Sequence, residues 1–510
     1  MWITRGKKYR TQDYLGIITV DLNELKKKHE KQPNLQFSPD TPITKALPKL
    51  IRERGMVGKD IEYGCFEIDG TLIDDPNLLK FRRRRNILYY TISRLYNKSR
   101  GFTEFSPGLM SSPDPVPISA ENNWAVLMSE NCLYKKDIER AIEPLVKHRG
   151  GRILTIPKLT VDTKGSREWI ENCGRESYLP KYLLICDSFQ NIEIEFQFIL
   201  NAFSVTGRLW FDHPEHFEIY ASKVLAVESH NFENLGRLLT VASPVDEFVT
   251  SSDYQRIIKP ILSETEFKLD PLLFSNNFSK KTLTSKAKLS RFLALYCHGV
   301  GLRHDQLMKN PEYQGSFVIK FNAEDDSGLL IPEELAEEPF VPGGILFSPA
   351  CFAGGTQADS DFATWIDQDD LPPYLSNQTS FSTISKSLLS APRGPIAALL
   401  HMDISLCTPM YNPASEKYDL QTMLHRMFVR NLVEGQTLGK ATKPFRSAAG
   451  TYYGQAIHIF GQVAGINSIM GWRKEPSIGT FVNSMNKYHI IATEMRNQII
   501  FGDPAVRLSN

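Results

Sequence analysis

The sequence predicts an α/β protein: two tandem units, each a mostly parallel sheet covered by helices on both faces, behind an N-terminal extension. Three observations carry that expectation. From about residue 120, short apolar runs alternate with segments of helical period, an order that favours parallel strands joined by crossover helices. The alternation breaks at 246–286, which is polar and rich in Ser, Lys and Thr. It then resumes in the same style to the C-terminus.

Taken in order, residues 1–110 are irregular and charged, with several Pro and Gly and the cluster FRRRR at 81–85. Four consecutive arginines could meet nucleic acid or mark a processing site, but a solvated face beside the helix-like NILYYTISRLY explains them more simply. The first unit, 111–245, opens with strand-like WAVLMS. KKDIERAIEPLVKH follows, with Ile138, Ala141, Ile142, Leu145 and Val146 on one helical face and Gly150–Gly151 as its stop. RILTIP and KYLLICD read as strands, with helix-like SREWIENCG between them. EIEFQFILNAF fits both periods, and HPEHFEIYASKVLAVESHNFENLGRLL reads as an interrupted helix. After the 246–286 linker, the second unit (287–510) offers FLALYCHG, FVIKF, ILFSPAC and IAALLHM as strands. DLQTMLHRMFVRNLVEG then sets Leu424, Met427, Phe428 and Leu432 at helical spacing.

Composition narrows the function. The chain has 510 residues and 42 % hydrophobic content, enough for large cores. Lys plus Arg (59) balances Asp plus Glu (58), so the charge of +1 exerts no global pull on nucleic acid or membrane. Seven scattered cysteines without CxxC spacing fit neither a disulfide framework nor a zinc ribbon and suit a reducing compartment. MWITRGKKYR is not followed by the apolar core of a secretory signal, and Ala456–Trp472, interrupted by His458, Gln462 and Asn467, suits a buried helix better than a membrane span. The expected location is cytoplasmic.

The chemistry concentrates at two strand ends. FLALYCHGVG ends on His298–Gly299, and ILFSPACFAGG carries Cys351 into a small-residue turn. In a parallel sheet, ligands bind outside the carboxyl ends of the strands, so both side chains are expected at one crevice. A thiol becomes a strong nucleophile once ionised, and a neighbouring imidazole can take its proton and later protonate the leaving amine. The amides of Gly299 and Cys351 are then candidates for an oxyanion hole. Each residue alone has a plainer reading: a small buried hydrophobe for Cys351, a structural histidine for His298. Strand-His-Gly followed about 50 residues later by strand-Ala-Cys is the order of caspase-type sites. Cys297 is expected in the core, and His213 and His216 at a helix start. No phosphate-binding loop is present.

The run GGILFSPACFAGGTQADSDF resembles the active-site segment of bacterial gingipain-like peptidases, which belong with caspases, CHAT-domain proteases and separase. LPKYLLICDSFQNIEIEFQFILNAFSVTGRLWFD, LALYCHGVG, GPIAALLHMDISL, LVEGQTLGKATKPF and FGDPAVRL match further segments in order, over about 120–510. The resemblance implies a caspase/gingipain-like α/β/α sandwich whose second unit is catalytic, with Cys351 and His298 as a dyad and the first unit without one. It implies a cysteine endopeptidase that needs no metal or organic cofactor. It also implies a specific protein substrate, a regulatory partner or activator, and a setting such as bacterial defence. Relatives that cut after Lys or Arg place an acid in the specificity pocket. Asp403 is the first candidate for it, with Asp359 and Asp361 behind. Pro349 departs from the pattern and fits only where no ladder N–H is needed. An idle caspase-like scaffold that serves as an interaction protein is the alternative.

Overall fold

The computed structural model describes residues 123–158, 179–201, 204–232, 236, 238–243, 268–269, 273–274, 279–301, 310–319, 328–358, 360, 379–405, 411–412, 417–418, 420–464, 488 and 491–508. FRRRR, SREWIENCG, Asp359, Asp361 and Cys407 lie outside them.

The strands of the first half are β1 (Trp124–Ser129), β2 (Arg152–Ile156), β3 (Tyr182–Ile185), β4 (Val205–Arg208) and β5 (Leu238–Ser243). Short β6 (Lys268–Leu269) and β7 (Leu273–Phe274) precede β8 (Ser290–Leu295), β9 (His298–Gly299), β10 (Phe317–Val318) and β11 (Leu329–Leu330). Then come β12 (Ile345–Ser348), β13 (Gly355–Thr356), β14 (Ser380–Phe381), β15 (Ala397–His401), the small antiparallel pair β16 (Tyr411–Asn412) and β17 (Lys417–Tyr418), and β18 (Gln498–Gly502). One sheet of eleven strands runs in the order β2-β1-β3-β4-β18-β15-β12-β8-β5-β6, with β7 also on β5.

Every neighbour in that sheet is parallel except β15 and β18. Because β18 is parallel to β4 and antiparallel to β15, the sheet consists of two parallel halves running in opposite directions. The pair His401–Gln498 therefore sets the start of β18 at the same rim as the carboxyl ends of β8, β12 and β15.

All residues of β1, β3, β8, β12, β15 and β18 are buried, which requires cover on both faces. Helix Lys135–His148 buries Ile138, Ile142, Leu145 and Val146, the face its spacing predicts, and packs on helix Pro214–Glu228. Helix Leu420–Val433 buries Leu424, Phe428 and Leu432 and leaves Met427 partly exposed. It packs with helices Leu438–Ala441 and Lys443–Ala464, and Phe428 and Phe445 of this group meet Phe347 of β12. The α/β class with a mostly parallel sheet is as the sequence predicts.

Three elements differ from the expectation. The helix expected to reach Leu239 stops at Glu228, and Leu238–Ser243 forms β5 instead. Five residues of good parallel pairing with β8, and burial on both faces, outweigh the helical spacing of Leu and Ala there. Thus β5, placed by sequence in the first unit, pairs within the second half of one continuous sheet. The stretch expected as linker contributes β6, β7 and helix Lys280–Ala287. Within FVIKF, Phe317–Val318 is strand, in a separate three-stranded sheet with β11 and β9, and Lys320–Phe321 lie outside the described residues. Ambiguous EIEFQFILNAF resolves to helix Ile194–Leu200.

The C-terminal FGDPAVRL locks the two ends of the described chain together. Asp503, fully buried, accepts from Trp124 Nε1 at 2.9 Å and Arg149 Nε at 2.8 Å, while its own N–H donates to the Tyr220 hydroxyl at 2.6 Å. Burial opposes the Arg149 cation, but Asp503 and Glu228 outweigh it and keep the guanidinium firmly charged. A buried ion pair of this kind is costly to break from one side, by about 3–5 kcal/mol.

Candidate functional site

The site is built by two chain reversals that meet at one rim. After β8 the chain passes Cys297 and enters β9, where Gly299 stands opposite Phe317 and His298 opposite Val318. Val300 N–H donates to Ser316 O at 2.9 Å. In an antiparallel ladder bonded and non-bonded pairs alternate, so the Gly299 N–H faces away from β10. His298 is buried, at 8 % exposure.

The second reversal follows β12. Ser348 Oγ bonds Leu295 O at 2.8 Å and ties the ends of β8 and β12 together. Pro349 comes next, just past the strand, where no ladder donor is required. Cys351 stands at the tip and Phe352 adopts φ of 58°, a left-handed conformation uncommon for a bulky side chain. That turn is over-determined. Phe352 N–H bonds Asp403 O at 3.0 Å, Ala353 N–H bonds Ala350 O at 3.3 Å, and Gly354 N–H bonds His401 O at 2.9 Å.

Glycine contacts join the reversals. A Cβ on Gly299 would fall 1.8 Å from the Cys351 carbonyl oxygen, and one on Gly315 would fall 2.3 Å from that of Phe352. Bare backbone therefore packs on bare backbone, and the residue beside His298 touches the Cys351 peptide. This is why the sequence needs glycine after the histidine. No side chain fits between the two loops.

Cys351 is partly exposed as a residue, while its sulfur is buried. Ser405 N–H donates to Sγ at 3.2 Å. Burial pushes the Cys351 pKa up to about 11; the Ser405 amide opposes this, and the charges of Glu494 and Asp403 add to it. The raised pKa disfavours the thiolate at neutral pH.

Asp403, 1 % exposed, lies beside this thiol. Its Oδ1 accepts from Ile404 N–H at 2.8 Å and its Oδ2 from Gln357 Nε2 at 3.4 Å. Gln357 Nε2 also reaches Asn497 Oδ1 at 3.2 Å. Glu494 accepts a hydrogen bond from the Ser405 hydroxyl and lies 3.6 Å from His401 Nε2. His401 Nδ1 is 2.8 Å from Asp403 O.

Of the residues singled out from sequence, His298, Gly299, Cys351 and Asp403 fall in this one neighbourhood. Asp359 and Asp361 are outside the described residues. Cys297 is buried, and burial pushes its thiol pKa up, in keeping with a core role. His213 stands at the N-terminal boundary of helix Pro214–Glu228 without a side-chain capping bond, and the first helical position is proline, as expected. Glu494, Ser405, Gln357 and Asn497 escaped the sequence reading. Gln357 and Ser405 lie within quoted segments but carry no signal of their own, and Glu494 and Asn497 reach this rim because β18 runs antiparallel to β15. Among the described residues there is no cluster of three or more metal-ligating side chains, and no helix long and apolar enough to cross a membrane.

No protein-family model matches the sequence, and no curated protein does. Among solved structures, the chain is similar to the complex of the pro- and mature domains of RgpB from Porphyromonas gingivalis. The identity is 12 %, the TM-score 0.43, and the match covers 76 % of this chain and 79 % of that one. It is also similar to a structure described only as a protease, at 10 % identity and a TM-score of 0.39, covering 77 % and 80 %. Both likenesses are distant.

Proposed function

We propose that the chain is a cysteine endopeptidase with Cys351 as nucleophile and His298 as its proton partner. The observation that supports this most is the backbone contact between Gly299 and Cys351, which puts a histidine-bearing loop against Cys351, a partly exposed residue at a strand-end rim.

With the thiol protonated at rest, the proton leaves as the bond forms. Sγ attacks the scissile carbonyl carbon, its proton passes to His298, and the carbonyl electron pair moves onto oxygen. The amides of Gly299 and Cys351 stabilise that oxyanion, a contribution of about 3 kcal/mol per donor in other enzymes. His298 then protonates the leaving amine, and water hydrolyses the thioester. No metal or organic cofactor takes part in this scheme. The substrate is a specific protein, and a cytoplasmic, regulated role such as bacterial defence suits it.

A preference for a basic residue before the scissile bond is supported by the buried Asp403 carboxylate, whose charge, like that of Glu494, acts on Cys351. Asp403→Asn is expected to lower kcat/KM for Lys or Arg substrates by about 100-fold, through loss of a desolvated charge partner, with little effect on a neutral one. A peptide-library profile of the native chain checks the premise. An unchanged Lys/Arg preference in the variant would remove Asp403 from this role.

The protonated thiol also favours a second reading, an idle scaffold that binds partners. It predicts that His298→Ala changes nothing measurable, and that no peptide electrophile modifies Cys351 faster than a free thiol.

A further inference from the structure

We propose that Glu494 is a positioning residue for the Cys351 nucleophile: its carboxylate anchors the Ser405 hydroxyl and so holds the Ser405 amide on Sγ. The proposal rests on the reading of Cys351 as nucleophile, but its test requires only the thiol.

The geometry is a short chain of contacts. Ser405 lies four residues past the end of β15, beyond any ladder that would fix its amide. Its contacts here include its N–H donated to Cys351 Sγ at 3.2 Å, its carbonyl oxygen accepting from Sγ at 3.6 Å, and its hydroxyl donated to Glu494 Oε1. Both Ser405 and Glu494 are buried, at 2 % and 3 % exposure. Glu494 stands four residues before β18, whose antiparallel pairing with β15 brings it to this rim. Sulfur and carboxylate are thus linked through one serine, the amide on one side and the hydroxyl on the other.

Two opposed effects follow. A hydrogen bond to sulfur strengthens as the thiol ionises, so the held amide favours the thiolate. The carboxylate's own charge disfavours it, as does that of Asp403. His401, 3.6 Å from Glu494, is a further titratable group on that carboxylate. Glu494 therefore supplies the hold and restrains ionisation together, and substitutions can separate the two.

The test is the rate of Cys351 alkylation by iodoacetamide between pH 6.5 and 10.5, on the full chain, read by mass spectrometry at that residue. Glu494→Gln keeps an acceptor for the serine and removes the charge, and should react about ten-fold faster than the native chain at pH 8. Glu494→Ala also loses the hold and should fall about ten-fold below Glu494→Gln at the same pH. Ser405→Ala should be about ten-fold slower than the native chain. Combining Ser405→Ala with Glu494→Ala should add no further loss of hold.

If Glu494→Gln and Glu494→Ala give the same pH profile, or Ser405→Ala alkylates like the native chain, the proposal is wrong and Glu494 only supports the fold. The conservative Glu494→Gln keeps the comparison usable if Glu494→Ala unfolds. Absence of any peptide cleavage, with the alkylation pattern as expected, would count against the peptidase reading and not against this one.

Discussion

Gly299→Ala should cost about 100-fold or more in kcat/KM while the chain still folds. The added methyl would sit 1.8 Å from the Cys351 carbonyl oxygen, a backbone atom with no flexible side chain to swing aside. One of the two loops must move by an ångström or more. Overpacking of this kind costs about 1–3 kcal/mol of stability. A misplacement of about 1 Å between reacting groups can cost 100-fold in rate. Gly435→Ala serves as the control. Gly435 has φ of 80° but nothing within 4 Å of an added Cβ, so it should lose about 1–2 kcal/mol to backbone strain and keep its activity. Steady-state kinetics and thermal melts on both variants check this pair. Equal activity losses in the two would mean that strain, not loop contact, governs the site.

Cys351→Ala should reduce cleavage of any protein or peptide substrate to background, a fall of roughly 10⁴-fold or more when a nucleophile is removed. The melting temperature should hardly change. The thiol has two weak hydrogen bonds, from the Ser405 amide and to the Ser405 carbonyl, so alanine forfeits these and little packing. Cys351→Ser should be nearly as inactive, because a hydroxyl at this position has a proton still harder to remove than that of the thiol. Product mass from the native chain distinguishes hydrolysis from acyl transfer to an amine.

Much of this site was legible because its pieces are local. A run of apolar residues ending in His-Gly, and another ending in Ala-Cys, mark strand ends in any α/β chain, and the sheet brings those ends to one rim. The helix Lys135–His148 was equally plain, since its buried face repeats at helical spacing. Leu238–Ser243 was harder, because Leu and Ala suit both periods and only pairing with β8 decides. The reversal at β18 left no sequence trace at all. A strand buried on both faces has the same composition whether its neighbour runs parallel or antiparallel. Glu494 and Asn497 reach this rim, on Ser405 and Gln357, because of that reversal, and no motif marks them. Gln357 was missed for a different reason: a glutamine in a polar loop carries no signal until its partner Asp403 is located.

The most direct measurement is covalent labelling of the native chain and of His298→Ala by a peptide ending in a basic residue and an acyloxymethyl ketone. The modified residue is identified by mass spectrometry. The account predicts saturable modification of Cys351 in the native chain, slowed by about 100-fold or more without the imidazole. Label on another residue, or equal rates for the two proteins, would contradict it.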